Sequence, residues 1–507
     1  MSLAKISLVA SSAIIMLACS TTEADGAYEN MAMYESYNGE PIPLPGESGD
    51  KFDEFLDNPF VETAKEPVST FSVDADGASY AIMRRMVTSG YEVNPQSVRI
   101  EEYLNYFTFD YPAPQDDNTV AINAEVGLCP WNEGHRLLRL GIKGKELAAN
   151  EVPRANFVFL VDVSGSMSSS DKLDLLKSGL IELLSHLNPD DRISLVTYSG
   201  EVKKLLESTP VRQSEKIISA IKKLNASGST AGGKALEMAY EEALANYDPG
   251  CNNRVIMGTD GDFNVGVTDT ESLVAMVEGY AKKGIYMTCL GFGYGNYNDA
   301  MMEKVSNSGN GTYYYIDCED EMMKVFAHER ERFVSVANDS KCQVTFAPEL
   351  VSAYRLIGYE NRVMNNEDFT DDNKDAGEIG AGQTITALYE VVPTELFDEC
   401  LSDAKAKRHV LATFDFRYKK SLGGSSQPLK VDAAVEDMYD GTGHPRPSSE
   451  NLTFAAGVAA YGMVLRSSPH KGSATLDMAS QLVGASLAFD PNGYRKELLK
   501  LIEKAKK

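Results

Sequence analysis

An aspartate and two serines stand at alternate positions, Asp162, Ser164 and Ser166, in the run FVFLVDVSGSM that spans 157–167. A threonine, Thr230, lies in SGSTAGGKAL between a turn and the start of a helical pattern. A second aspartate, Asp260, ends the apolar run in VIMGTDGDFNVG. Carboxylates and hydroxyls are hard oxygen donors, and a set of them drawn from three loops suits a hard cation: Mg2+, or Mn2+ or Ca2+. Five side chains with only two carboxylates do not satisfy an octahedral ion by themselves, above all if the aspartates act through water. One position is left for an oxygen from outside.

Such a set needs strands that end together. Phe157 to Val161 is unbroken apolar sequence, the pattern of a strand buried on both faces of a parallel sheet. From Asn156 to Val336 strand and helix patterns alternate. FVFLVDV, RISLVTYS, RVIMGTD, IYMTCLGF and TYYYI read as strands. Between them KLDLLKSGLIELLSHL, SEKIISAIKKL, GKALEMAYEEALANY, ESLVAMVEGYAKKG and EMMKVFAHERERFVSV read as helices. Parallel strands need helical crossovers, so the alternation predicts a doubly wound α/β domain. Open parallel sheets bind ligands beyond the carboxyl ends of their strands, where Asp162 and Asp260 stand.

Asp-x-Ser-x-Ser, then a Thr, then an Asp before Gly, resembles the metal-ion-dependent adhesion site (MIDAS) of von Willebrand factor type A (VWA) domains. The resemblance implies that Ser164, Ser166 and Thr230 coordinate the metal directly, with Asp162 and Asp260 acting mainly through water. It also implies a Rossmann-like VWA fold. TFSVDADGASYAIMRRM with VRIEEYLNYF, and later YRLIGYENR with DAGEIGAGQTITALYEVVP, resemble the flanking regions of bacterial lipoproteins that carry this domain. SYAIMRRMVTSGY and VRIEEYLNYF read as short amphipathic helices, and TVAINAEVGLCPW and HRLLRLGIKG as strands. After Cys342 strand patterns return in CQVTFAP, SAYRLIGYE, ITALYEVVP, HVLATFDFRYKK and PLKVDAAVE. Strands on both sides predict one β-sandwich into which the α/β domain is inserted. LTFAAGVAAYGMVLR is too short for a membrane span and reads as a buried helix, followed by more helical pattern.

The first residues, MSLAKISLVASSAIIMLACS, have the layout of a secretory signal, with one Lys, an apolar stretch and a small residue before Cys19. This resembles a bacterial lipobox and marks Cys19 for lipidation. The expected organisation is a signal over 1–18, a polar tether over 19–67, a flanking region over 68–150, the VWA domain over 151–336, a β-rich domain over 337–440 and a helical segment over 441–507. Localisation at the cell envelope, at the outer membrane or cell surface, follows as an expectation.

Net charge is −26 over 507 residues, which repels phosphate backbones and argues against nucleic acid. GSTAGGKA lacks the hydroxyl that closes a phosphate loop, because Ala235 stands there, so no nucleotide is expected. HERER at His328 is not HExxH, since Arg332 replaces the second His. VDADG (73–77) and the acidic loop near Asp371 lack EF-hand spacing and read as solvated turns. Cys289, inside IYMTCLGF, reads as a buried thiol. No nucleophile stands beside an evident base, so an enzyme is not expected. The reading is an envelope lipoprotein that binds an unidentified protein partner presenting Asp or Glu. The alternative is a structural or assembly component whose metal only stabilises the fold.

Overall fold

Alternate side chains of the strand Arg154–Asp162 enter two separate cores of the α/β domain. Phe157, Phe159 and Val161 meet Leu176, Leu180 and Leu183 of the helix Leu175–His186. Val158 and Leu160 meet Leu236, Ala239 and Tyr240 of the helix Gly233–Ala245. Burial on both faces is the reason for the unbroken apolar run, and each such side chain contributes about 1.5–3 kcal/mol. The computed structural model describes residues 49–228, 233–261, 270–295, 297–374, 376–402, 409–438 and 446–506.

Six strands form the sheet of this domain, in the order Tyr313–Ile316, Ile285–Phe292, Cys251–Thr259, Arg154–Asp162, Arg192–Tyr198, Val202–Pro210. The first five are parallel. The sixth is an antiparallel edge strand that the strand–helix alternation does not predict. The helical reading of EMMKVFAHERERFVSV is also corrected. Helical turns reach only Phe333, and Ser335 begins the strand Ser335–Phe346.

The flanking segments build two antiparallel sheets. In the first, Arg136–Gly144 pairs with Val120–Leu128 on one side and with Thr384–Pro393 on the other, and Val351–Ile357 follows. Strands from before and after the α/β domain are therefore neighbours, as the insertion requires. In the second sheet, Ser335–Phe346 lies between Val68–Ser72 and Val410–Lys419, with Ser426–Ala434 beyond. Leu138, Leu140, Ile142 and Tyr389 of the first sheet share a core with Phe71, Val344, Phe414 and Phe416 of the second.

The outer face of the first sheet is covered too. Leu137, Ile357 and Leu388 point to Leu452, Phe454 and Tyr461. These belong to Glu450–Leu465, the first of three C-terminal helices, with Leu476–Gly484 and Tyr494–Ala505 after it. Among the described residues no helix is long and apolar enough to cross a membrane. Two more expectations are revised here. The helix Ile100–Asn105 is not amphipathic, because all six residues are buried, Glu101 and Glu102 included. VDADG is no solvated turn, for Asp74 and Asp76 are both buried. Cys289 is buried as expected, and burial pushes its thiol far up.

Candidate metal centre

The chain leaves the strand Arg154–Asp162 through a short 3-10 turn, Gly165–Ser168, which turns the serines back over the sheet end. Asp162 is fully buried. Its Oδ1 accepts the Ser164 N–H at 2.8 Å and its Oδ2 accepts the Thr259 hydroxyl at 3.2 Å. The Ser164 and Ser166 Oγ atoms lie 2.9 Å apart. Burial pushes the Asp162 carboxyl up to about 6, and the nearby Asp260 charge adds to the rise against the hydrogen bonds from Ser164 and Thr259.

Asp260 follows the adjacent parallel strand, Cys251–Thr259. Gly261 behind it has φ +85°, and a Cβ there would stand 2.7 Å from the Asn298 amide nitrogen, so the turn requires glycine. The third loop is tied to the first through its backbone. The Gly165 N–H donates to the Gly228 carbonyl at 3.0 Å, and the Ser227 N–H to the Val163 carbonyl at 2.7 Å. Thr230, which follows in that loop, lies outside the described residues, as does Cys19. Asp162, Ser164, Ser166 and Asp260 thus converge at one end of the sheet.

Lys172 is the participant that the sequence reading missed. Its Nζ donates to Asp260 Oδ2 at 3.0 Å and to the Ser166 carbonyl at 3.0 Å, which puts an ammonium among the oxygen donors. The other Asp260 oxygen, Oδ1, is buried and accepts no hydrogen bond from the described residues. A buried carboxylate oxygen without a donor is costly. Together with two adjacent hydroxyls it fits a hard divalent cation or water bound to one. The loop is braced from the flank, where Arg85 of the helix Ala78–Ser89 pairs with Asp171 at 2.7 Å and lies over the Tyr294 ring.

Fold and strand-end loops together define a VWA-domain protein. The model of the von Willebrand factor type A domain matches residues 156–328. A model described as von Willebrand factor matches 47–139, and one described as Uncharacterized protein YfbK, C-terminal, matches 331–507. Uncharacterized protein YfbK of Escherichia coli (strain K12) is 38% identical over 482 residues, which cover 92% of this chain and 82% of that one. The chain belongs to the YfbK family of bacterial VWA-domain proteins. Uncharacterized protein sll0103 of Synechocystis sp. (strain ATCC 27184 / PCC 6803 / Kazusa) is 25% identical over 330 residues, covering 63% of this chain and 76% of that one. Among solved structures, von Willebrand factor type A from Catenulispora acidiphila matches at 15% identity and a TM-score of 0.43, over 77% of this chain and 91% of that one.

Proposed function

We propose that this chain is a non-enzymatic binding protein of the cell envelope, lipid-anchored at the outer membrane or cell surface through Cys19. Its VWA domain captures a partner protein through a divalent cation. Ser164, Ser166 and Thr230 would hold Mg2+ directly, with Asp162 and Asp260 set back behind water. The observation that carries this reading is Asp260 Oδ1, buried with no hydrogen bond among the described residues, at the same strand end as the paired serine hydroxyls, to which Lys172 ties Asp260.

The chemistry supplied is attraction for an anionic oxygen. An ion held mostly by neutral hydroxyls keeps much of its charge, whereas direct carboxylate coordination would quench it. Its open position therefore favours an Asp or Glu side chain of the partner. A net charge of −26 repels such a partner at long range, so selectivity falls to the loops around the ion. Capture is tested with the full chain as bait and solubilised envelope proteins, in Mg2+ against EDTA. Binding that is lost both in EDTA and in Ser164→Ala supports the reading. Equal capture with and without EDTA would overturn it and leave the metal a stabiliser of the fold.

A further inference from the structure

The parallel strand Ile285–Phe292 ends on the same side of the sheet as Cys251–Thr259. The turn that leads from it into the helix Asp299–Ser308 therefore stands beside the Asp260 loop. This turn touches two parts of the metal centre. Gly261, next to Asp260, has its bare face against the Asn298 amide nitrogen and the Tyr297 ring, each 2.7 Å from where a Cβ would stand. Gly293 lies so close to the Lys172 stem that a Cβ there would collide with it. The Asp260 turn and the Lys172 ammonium are thus only as well placed as the turn behind them.

What fixes that turn comes from far away in the sequence. The Asp50 carboxylate takes two of its backbone donors on one oxygen: Oδ1 accepts the Gly295 N–H at 2.8 Å and the Tyr297 N–H at 2.7 Å. A short parallel pairing continues the contact. The Gly49 N–H donates to the Gly295 carbonyl at 3.1 Å, the Lys51 N–H to the Tyr297 carbonyl at 2.7 Å, and the Ala300 N–H to the Lys51 carbonyl at 3.3 Å. Phe52 packs against the core that holds Ile82, Tyr297 and Met301. A few residues on, Asp57 pairs with Arg466 at 2.9 Å and the Asn58 amide donates to the Gly358 carbonyl at 2.8 Å. Residues 49–58 therefore bridge the metal end of the VWA domain and the flanking body.

The turn's own residues hold it weakly. Gly293 and Gly295 take φ of +73° and +99°, in a region where glycine moves freely. Bonds from outside decide its position, and those to a charged acceptor are the strongest of them.

We propose that residues 49–52 are a strap that keeps the strand-end loops in their metal-binding geometry, with Asp50 as the positioning residue. The inference rests on the metal reading given above and adds its regulation: whatever shifts the chain ahead of Gly49 changes the affinity for the ion. Mg2+ is titrated calorimetrically into the full chain, into Asp50→Ala and into Asp50→Asn, and amide exchange is followed in EDTA and in Mg2+. Asp50 is partly exposed, so neither variant disturbs a core, and Asp50→Asn keeps an oxygen acceptor while removing the charge. Binding should be about tenfold weaker in Asp50→Ala, the usual effect of losing a group that holds a metal's ligands from behind, and close to wild type in Asp50→Asn. Exchange at Gly295 and Tyr297 should be faster in Asp50→Ala even in EDTA. Because coupling is reciprocal, Mg2+ should slow exchange at Lys51 in wild type. Equal affinity in Asp50→Ala and wild type overturns the strap. So does an equal loss in Asp50→Asn, which would make the effect one of charge. Absence of Mg2+ binding in wild type overturns the metal reading and this regulation with it, and the exchange data in EDTA tell that failure from a failure of Asp50 to hold the turn.

Discussion

Removing the Lys172 ammonium tests whether the strand-end loops are built for a cation. Lys172 makes two charge-assisted hydrogen bonds, each 3.0 Å, to Asp260 Oδ2 and the Ser166 carbonyl. A metal ion that recruits Asp260 must compete with that ammonium. When displaced, the ammonium regains water, so the net cost is close to one charge-assisted bond, about 1.5–3 kcal/mol. Lys172→Met keeps most of the stem and removes the competitor. Mg2+ affinity should then rise by about tenfold to a hundredfold, taking 1.4 kcal/mol per factor of ten. Without metal the variant should melt below wild type, because Asp260 loses the one cation that hydrogen-bonds to it among the described residues. Saturating Mg2+ should recover more stability in the variant than in wild type. Calorimetric titration and a melting series with and without EDTA read both effects. Unchanged or weaker Mg2+ binding in Lys172→Met would refute the competition and make Lys172 a support for the metal loops.

Two further outcomes are expected. Gly261→Ala forces a side chain into φ +85° against the Asn298 amide, at a conformational cost of about 1–2 kcal/mol before the clash; its melting temperature should fall by several degrees and its Mg2+ response should vanish, and an unchanged response would show that the Asp260 turn tolerates the shift. In chelator, stability should fall as pH rises from about 5 to 8: burial raises Glu102 from its ordinary 4.5 to about 8, so its contribution is complete below the unfolded value and lost as pH passes the folded one. Glu102→Gln should flatten that slope in a pH series of melting curves, and an identical slope in both proteins would refute the assignment.

The strand-end chemistry was legible because it is local. Asp162, Ser164 and Ser166 occupy one turn, and two-sided burial writes an unbroken apolar run into the strand before them. What stayed hidden depends on distant partners. VDADG reads as solvated because a five-residue stretch says nothing of Arg362, which bonds Asp74 from 288 positions away. The strand Ser335–Phe346 was mistaken at its start for the end of a helix. Its register shifts between Asn338 and Lys341, and Asp339 takes φ +52°, so the alternation that marks a strand is broken there. The edge strand Val202–Pro210 has solvent along much of one face and few apolar residues, and its pattern is correspondingly faint.

The pairing of Arg136–Gly144 with Thr384–Pro393 also governs the order in which this chain can fold. Lys143 must wait for Thr384, and everything between them has to be synthesised before that ladder can close. The loop-closure entropy of such a long excursion falls if the inserted segment collapses first and brings its own ends together. Until then the hairpin of Val120–Leu128 and Arg136–Gly144 is formed with one edge open and with Leu137, Leu138, Leu140 and Ile142 uncovered. An uncovered apolar ribbon with a free edge is a template for pairing between chains. A chain halted between residues 336 and 384 would therefore carry a complete six-stranded domain and an aggregation-prone hairpin on the same molecule, and its yield of soluble protein would be set by the hairpin that still lacks its partner strand.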